Sequence, residues 1–270
     1  MTNLNGVNWV FILLAIAGGF LPTIFWLWFW LHEDKKKLEP KRVIARTFIV
    51  GGFFVPIVFI IDHFFLPSNN LVTQISTAYK SNLTLSAIIL VSLPLVALAL
   101  IEELSKYLAA RIGALRNINC DEPIDVMIYM ITAALGFSAV ENSLFLFSLL
   151  ITSGPTYSSF LFTGNLRFLG ATLLHTVTSA TLGAFLGFAF YQKTWVKTIA
   201  WILGLATATT VHLFFNFFII TGGSQNVLPV LIGLWVATMF IIFIFEIIRR
   251  LNHRKTLPGS TNKVRVWQRW

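Results

Sequence analysis

The side chains of this sequence that could do chemistry are carboxylates and histidines set inside long apolar stretches. They are Glu102, Glu103, Glu141, His175 and His212. An ionisable group at membrane depth costs free energy unless it is paired or faces a cavity, so each of these positions needs an explanation. Carboxylates and imidazoles activate water and carry protons during hydrolysis, and N–H groups stabilise the oxyanion that forms. The pattern therefore predicts a buried polar site suited to hydrolysis or to proton transfer.

The glutamate pair lies in the segment Glu102-Glu103-Leu-Ser-Lys106. Residues four apart share a helix face, which pairs Glu102 with Lys106, whereas Glu103 points about 100° away. An ion-paired carboxylate accepts a proton less readily than one without a cation. We therefore interpret Glu103 as a candidate base and the Glu102–Lys106 pair as a support that orients the helix. The alternative is a helix end at the headgroups, with the Lys106 side chain reaching the membrane surface.

Glu141 lies deep within the next apolar stretch, and Asn142 follows it directly. A glutamate side chain is too short to reach the headgroups from this depth, so a position facing a cavity is favoured. Asn142 is interpreted as a supporting residue of the site. The alternative is that Asn142 only forms hydrogen bonds between helices.

The two histidines each share a helix face with small or polar residues. A stripe of small residues follows His175 at intervals of four: Ser179, Gly183 and Gly187. Small residues allow helices to approach closely, so His175 is expected to face the bundle interior. Asn216 follows His212 by one turn, and the two side chains could contact one substrate carbonyl. For each histidine the alternative is a hydrogen-bonded core residue without a chemical role.

Membrane-spanning helices would position these residues. Of the 270 residues, 56% are hydrophobic and 11% are charged, against about 25% charged in an ordinary soluble domain. A bilayer-spanning helix needs about 20 apolar residues, and seven stretches qualify: Val7–Leu31, Val43–Leu66, Leu83–Leu108, Ile124–Ile151, Arg167–Phe190, Thr198–Thr221 and Val227–Ile248. We predict an all-α fold, a polytopic transmembrane helix bundle of about seven spans. Residues 1–248 form its single membrane-embedded domain, and residues 249–270 form a basic cytoplasmic tail.

Lysine and arginine are concentrated in alternate loops. The loop at 32–42, the loops after the third and fifth spans and the tail carry most of those that lie outside the spans. Basic loops stay in the cytoplasm, which predicts that the N-terminus lies outside the cell and the C-terminus inside. The net charge of +9 then reflects loops beside the anionic lipid bilayer, and no nucleic-acid partner is expected. The single cysteine, Cys120, excludes an intrachain disulfide.

The order of these motifs resembles the PrsW family of intramembrane proteases, within the wider clan of the CAAX prenyl endopeptidases. The motifs are Glu-Glu-x-x-Lys at 102–106, Gly-Phe-x-x-x-Glu-Asn at 136–142, His175, and His-x-x-x-Asn at 212–216. The segment from Asp34 to Pro40 is also similar to that family's first cytoplasmic loop. The similarity covers the chain from about Asp34 to Asn216, and the lysine at 106 favours the PrsW side of the clan.

The resemblance implies a glutamate-dependent endopeptidase that cuts membrane-anchored proteins in the cell membrane of a prokaryote. The family's known theme is cleavage of an anti-sigma factor in stress signalling. By the same resemblance, Glu102 and Glu103 match the paired catalytic glutamates, and the other matching polar positions are Glu141, His175 and His212. We expect Glu103 or Glu141 to activate water. The groups expected to hold the carbonyl oxygen are His175, His212 and Asn216.

A metal ion offers a competing mechanism. His175, His212 and Glu141 could hold zinc and leave one position open for water. The sequence has no HExxH helix, and we expect a site that works without a cofactor.

Two other functions are compatible with these residues. Intramembrane carboxylates and histidines also build proton relays, so a proton-coupled transporter is the first alternative. The sequence lacks the internal repeat that many transporters have. A non-enzymatic membrane scaffold or immunity protein of the same fold is the second. Neither the oligomeric state nor the substrate can be predicted from these residues.

Overall fold

The computed structural model describes residues 9–33, 39–65, 77, 85–153, 167–222 and 227–251, and the regular structure in these segments is helical. Seven long helices follow one another: α1 Trp9–Glu33, α2 Lys41–Phe65, α3 Leu85–Ala110, α4 Pro123–Ser153, α5 Thr172–Phe188, α6 Thr194–Gly222 and α7 Val227–Leu251. A π-helical turn, Arg111–Leu115, extends α3, and another, Arg167–Ala171, leads into α5. The predicted all-α bundle is confirmed.

Six of the seven helices are long and apolar enough to cross a membrane. The remaining one, α3, has 26 residues and carries the Glu-Glu-x-x-Lys motif near its end. It has the length of a span, since about 20 residues cross the hydrocarbon core. Its charged residues are accommodated because they face the other helices and not lipid.

Helix α4 lies at the centre of the bundle. It is buried along most of its length, and α1, α2 and α5 pack against it. Its largest buried side chains include Met127, Tyr129, Met130, Ile131 and Phe137. By contrast, α1 and α7 expose many large apolar side chains on their outer faces. The polar groups of α4 and α5 are therefore kept away from lipid by the surrounding helices.

Glycines set how closely the central helices approach. A Cβ atom on Gly136 of α4 would overlap the Phe48 carbonyl oxygen of α2. A Cβ atom on Gly183 of α5 would lie 2.9 Å from Met127 Cα of α4. Only glycine allows such contacts between backbones. The small-residue stripe that follows His175 thus faces the bundle interior, as predicted.

The C-terminal ends of α1 and α7 meet at one end of the bundle. The Arg249 guanidinium donates a hydrogen bond to the Glu33 carbonyl oxygen at 2.7 Å, and Glu246 forms ion pairs with Arg249 and Arg250. Six helices, α2 to α7, separate these two ends along the chain, and an even number of crossings returns the chain to the same side, as the predicted seven-span bundle requires. Helix α7 continues to Leu251, so it includes the first residues of the predicted basic tail. The rest of the tail, and the lysines at 35–37, lie outside the described residues.

A second polar group lies at this same end. The Tyr129 hydroxyl donates a hydrogen bond to the buried Glu39 carboxylate. Asp125 accepts hydrogen bonds from the backbone N–H groups of Asp121 and Glu122, at 2.9 and 2.7 Å. These contacts attach the segment before α2 and the turn before α4 to the central helix. Cys120 is buried beside them, and burial raises the pKa of its thiol well above its usual range.

Candidate active site

Helices α3, α4, α5 and α6 bring the five predicted site residues into one buried cluster. Helix α3 contributes Glu102 and Glu103, α4 contributes Glu141, α5 contributes His175, and α6 contributes His212. The His175 and His212 rings lie 5.5 Å apart between their centroids, in an edge-to-face arrangement. Four helices thus converge on one polar centre.

The structure reverses the predicted partners of the two adjacent glutamates. Glu103, and not Glu102, makes the short ion pair with Lys106, at 2.7 Å between Nζ and Oε1. Residues three apart on a helix are neighbours as surely as residues four apart, and the Lys106 side chain turns toward the more deeply buried carboxylate. The expectation that Glu103 is the freer carboxylate is therefore wrong.

Glu103 is held by donors from three helices. Its Oε1 atom accepts hydrogen bonds from Lys106 Nζ, from His212 Nδ1 at 2.7 Å and from Thr178 Oγ1 at 3.0 Å. The side chain is completely buried. Its Oε2 atom is buried without a hydrogen-bond partner among the described residues. Three donors on Oε1 still leave the carboxylate little freedom to approach a substrate, and its geometry suits the positioning of His212.

Glu102 is the less constrained of the pair. Its Oε2 atom lies 3.9 Å from Lys106 Nζ and 3.7 Å from His212 Nε2, too far for a hydrogen bond to either. Among the described residues this oxygen has no hydrogen-bond partner, although it is buried. Buried polar atoms are nearly always satisfied, so the Glu102 carboxylate has room for a water, a substrate or an ion.

His175 connects Lys106 to Glu141. Its Nδ1 lies 2.7 Å from Lys106 Nζ, and its Nε2 lies 2.7 Å from Glu141 Oε2. An ammonium group has only donors, so Nδ1 accepts and Nε2–H donates to Glu141. Glu141 has 32% of its side chain exposed, the largest fraction in the cluster, so it lies where the site opens.

The two predicted asparagines differ in their surroundings. Asn142 is buried, and its amide donates hydrogen bonds to Ser138 Oγ at 3.0 Å and to Thr172 Oγ1 at 2.9 Å. The alternative interpretation, a contact between helices, therefore describes Asn142. Asn216 is half-buried one turn beyond His212, and within the described chain its amide has no hydrogen-bond partner.

Two further residues contribute to the site and were not predicted from the sequence. Thr178 holds Glu103, and Phe137 packs beside His175, with the Lys106 ammonium 5.2 Å from its ring centroid. Phe137 belongs to the Gly-Phe-x-x-x-Glu-Asn motif, and Thr178 follows His175 by three residues, on the same helix face. These spacings could have indicated that both residues belong to the site. Threonine and phenylalanine are, however, too common in apolar helices for the spacing alone to distinguish them.

The cluster also has a donor set that fits a metal ion. Ligand atoms from Glu102, His175 and His212 lie within 4.8 Å of one another. Glu103 accepts a hydrogen bond from His212 Nδ1–H, which leaves a lone pair on Nε2 when the ring carries one proton. This lone pair faces Glu102 Oε2, so two hydrogen-bond acceptors face each other without a donor between them. A metal ion, a proton or a water fits there. The carboxylate of this group is Glu102, whereas the sequence suggested Glu141.

Comparison with known proteins gives a consistent result. The model of a family described as PrsW family intramembrane metalloprotease matches residues 39–246. A protein named Protease PrsW from Oceanobacillus iheyensis is 26% identical over 236 residues, which cover 85% of this chain and 94% of that protein. No solved structure matches the chain.

Proposed function

The chain belongs to the PrsW family of intramembrane proteases, and from that premise we propose that it hydrolyses peptide bonds of membrane-anchored proteins in the cell membrane of a prokaryote. The observation that carries this proposal is the Glu102 carboxylate. It is buried among four helices, has an oxygen without a hydrogen-bond partner in the described part of the chain, and lies next to His212. A site of this kind can activate water away from bulk solvent.

We assign water activation to Glu102. A general base must reach the water whose proton it removes, and Glu102 Oε2 is the carboxylate oxygen of α3 that faces His212 Nε2 without a donor between them. The water oxygen attacks the scissile carbonyl carbon while its proton passes to Glu102. Glu103 and Lys106 hold their neighbours in place and do not touch the substrate.

Glu141 and Asn216 complete the reaction. The developing oxyanion accepts a hydrogen bond from the Asn216 amide, which is half-buried one turn from His212. Glu141 lies at the open side of the site and is oriented by His175. The proton that Glu102 took from water passes through Glu141 to the leaving nitrogen as the carbon–nitrogen bond breaks. The oxyanion then collapses to a carbonyl, and the acyl product leaves as a carboxylic acid that ionises in water.

The competing mechanism uses a metal ion held by Glu102, His175 and His212. Zinc would polarise the carbonyl and supply a water that is acidic near neutral pH. Both nitrogens of His175 already have partners, so binding an ion would exchange one of its hydrogen bonds. Glu103 would then support His212 from behind, as carboxylates commonly do for metal-bound histidines.

The test is cleavage of a labelled single-span membrane protein by the purified protein in lipid vesicles. We expect cleavage by the wild type, loss of cleavage in Glu102→Gln, and wild-type cleavage in the matched control Glu246→Gln. Glu246 lies at the end of α7, where it pairs with arginines. Metal analysis and chelator treatment of the same samples decide between the two mechanisms. Proton-driven solute uptake without cleavage would replace the protease with a carrier.

A further inference from the structure

An apolar cavity lies beside the polar cluster, between α5, α6 and α7. Its volume is about 480 Å³, which is within the usual range of ligand sites. The side chains that line it are apolar throughout: Leu174, Val211, Phe214, Phe215, Phe218, Pro229, Val230, Leu234 and Ala237, with Gly233 among them. The cavity therefore cannot take a charged or strongly polar ligand.

The cavity shares two helices with the candidate active site. Its lining begins with Leu174, which precedes His175, and with Val211, which precedes His212. From there it follows α6 to Phe218, a distance of about 10 Å at 1.5 Å per residue. A group bound in the cavity thus contacts the chain neighbours of His175 and His212.

The cavity is open toward lipid, and one of its walls has spare room. Phe214 and Phe218 at its rim are 54% and 45% exposed. A Cβ atom on Gly233 of α7 would meet nothing within 4 Å. Gly136 and Gly183, in the bundle interior, would instead collide with neighbouring backbone. Close packing of helices therefore does not explain Gly233, whereas space for a ligand does.

We propose that this cavity binds a large apolar side chain of the substrate's membrane-spanning segment, next to the bond that is cut, and that Gly233 sets the size of the side chain accepted. The inference rests on the proposed protease function. A membrane-spanning substrate supplies such side chains from the lipid side, where the cavity opens. The polar cluster on the same helices α5 and α6 receives the peptide bond.

The test compares two single-span substrates that differ at one residue beside the cleaved bond, phenylalanine in one and alanine in the other. We expect the wild type to prefer the phenylalanine substrate. Gly233→Leu fills the cavity and should lower the ratio of the two kcat/KM values by about tenfold or more, since one or two methylene groups in an apolar pocket are worth roughly 10–200-fold. The matched control is Val236→Leu, which enlarges a side chain of the same helix on its lipid-facing side. It should leave the ratio unchanged.

Gly233→Ala is a second, smaller substitution that keeps the test valid if Gly233→Leu fails to fold. It should keep or raise thermal stability, because alanine favours a helix over glycine, and it should lower the ratio by less than leucine does. An unchanged ratio in Gly233→Leu, or an equal loss on both substrates, would overturn the proposal. So would a change in co-purified phospholipid at constant ratio, which would mean that the cavity holds a lipid chain. Absence of cleavage by the wild type would refute the protease function itself.

Discussion

At the residue scale, the chemistry of the site depends on which of two adjacent glutamates the lysine holds. The Lys106 ammonium contacts Glu103 and His175, both at 2.7 Å, and remains 3.9 Å from Glu102. One carboxylate therefore becomes part of a rigid hydrogen-bonded network. The adjacent one is held less closely, and its buried Oε2, like the second oxygen of Glu103, has no hydrogen-bond partner among the described residues.

Exchanging the two carboxylates for amides should separate these roles. Glu102→Gln is expected to abolish cleavage with little change in thermal stability. Glu103→Gln leaves Lys106 buried without its counter-ion, which typically costs about 3–5 kcal/mol, so this variant should melt earlier and lose activity as a consequence. Cleavage and unfolding temperature in detergent are the measurements. A stable but inactive Glu103→Gln together with an active Glu102→Gln would restore the assignment made from the sequence.

The Lys106–Glu103 interaction can be measured by a double-mutant cycle. Lys106→Met alone should destabilise the protein, because Glu103 and His175 lose a donor. The double variant Lys106→Met with Glu103→Gln should be destabilised by less than the sum of the single changes, since residues in contact are coupled. Additive effects would show that the ion pair contributes no interaction energy of its own.

The Cys120 thiol should react slowly with thiol-specific reagents in the folded protein. Its pKa is raised by burial and by the neighbouring carboxylates Asp125 and Glu39, and the thiolate is the reactive form. At pH 8 a maleimide is expected to label native protein at least about tenfold more slowly than protein unfolded in strong detergent. Labelling of Cys120 at equal rates in both states would contradict its burial.

At the element scale, the crossing of α2 and α4 depends on Gly136. Its missing side chain lets the Phe48 backbone pass, and the same glycine precedes the phenylalanine that packs beside His175. The Gly-Phe-x-x-x-Glu-Asn motif thus combines a helix contact at its start with the Glu141 carboxylate near its end.

Alanine substitutions should distinguish a glycine at a close helix contact from a glycine that faces open space. Gly136→Ala forces α2 and α4 apart and should lower stability by about 1–3 kcal/mol, the usual cost of overpacking. Gly233→Ala is the matched control, since its new methyl group meets no atom within 4 Å. Thermal unfolding of both variants in one detergent gives the comparison, and equal melting temperatures would argue against the close α2–α4 contact.

At the scale of the whole molecule, the bundle surrounds a central helix and has one strongly basic end. The contact between Arg249 and the Glu33 carbonyl joins the last helix to the first at that end. Lys41 at the start of α2 and Lys193 just before α6 belong to the same end, which we predict to be cytoplasmic.

Reporter fusions test this topology. A reporter placed after Trp270 should be active in the cytoplasm, and one placed in the loop between α2 and α3 should be active outside it. The physical reason is the retention of lysine and arginine on the cytoplasmic side. A reporter after Trp270 that is active only outside the cytoplasm would invert the predicted arrangement.

The sequence alone determined the membrane class, the helices and the membership of the buried polar cluster. Apolar stretches of spanning length are a local property, and an ionisable residue within one stands out because lipid cannot solvate it. For this reason all five carboxylates and histidines named from the sequence meet in one cluster.

Only the tertiary structure decided how the members of the site divide their roles. The sequence places Lys106 within reach of both Glu102 and Glu103, and helical spacing cannot choose between i+3 and i+4 partners. The choice depends on His212, His175 and Thr178, which arrive from other helices to surround one carboxylate and leave the other open. The apolar cavity beside them likewise exists only where α5, α6 and α7 meet, so no pattern within a single helix could have indicated it.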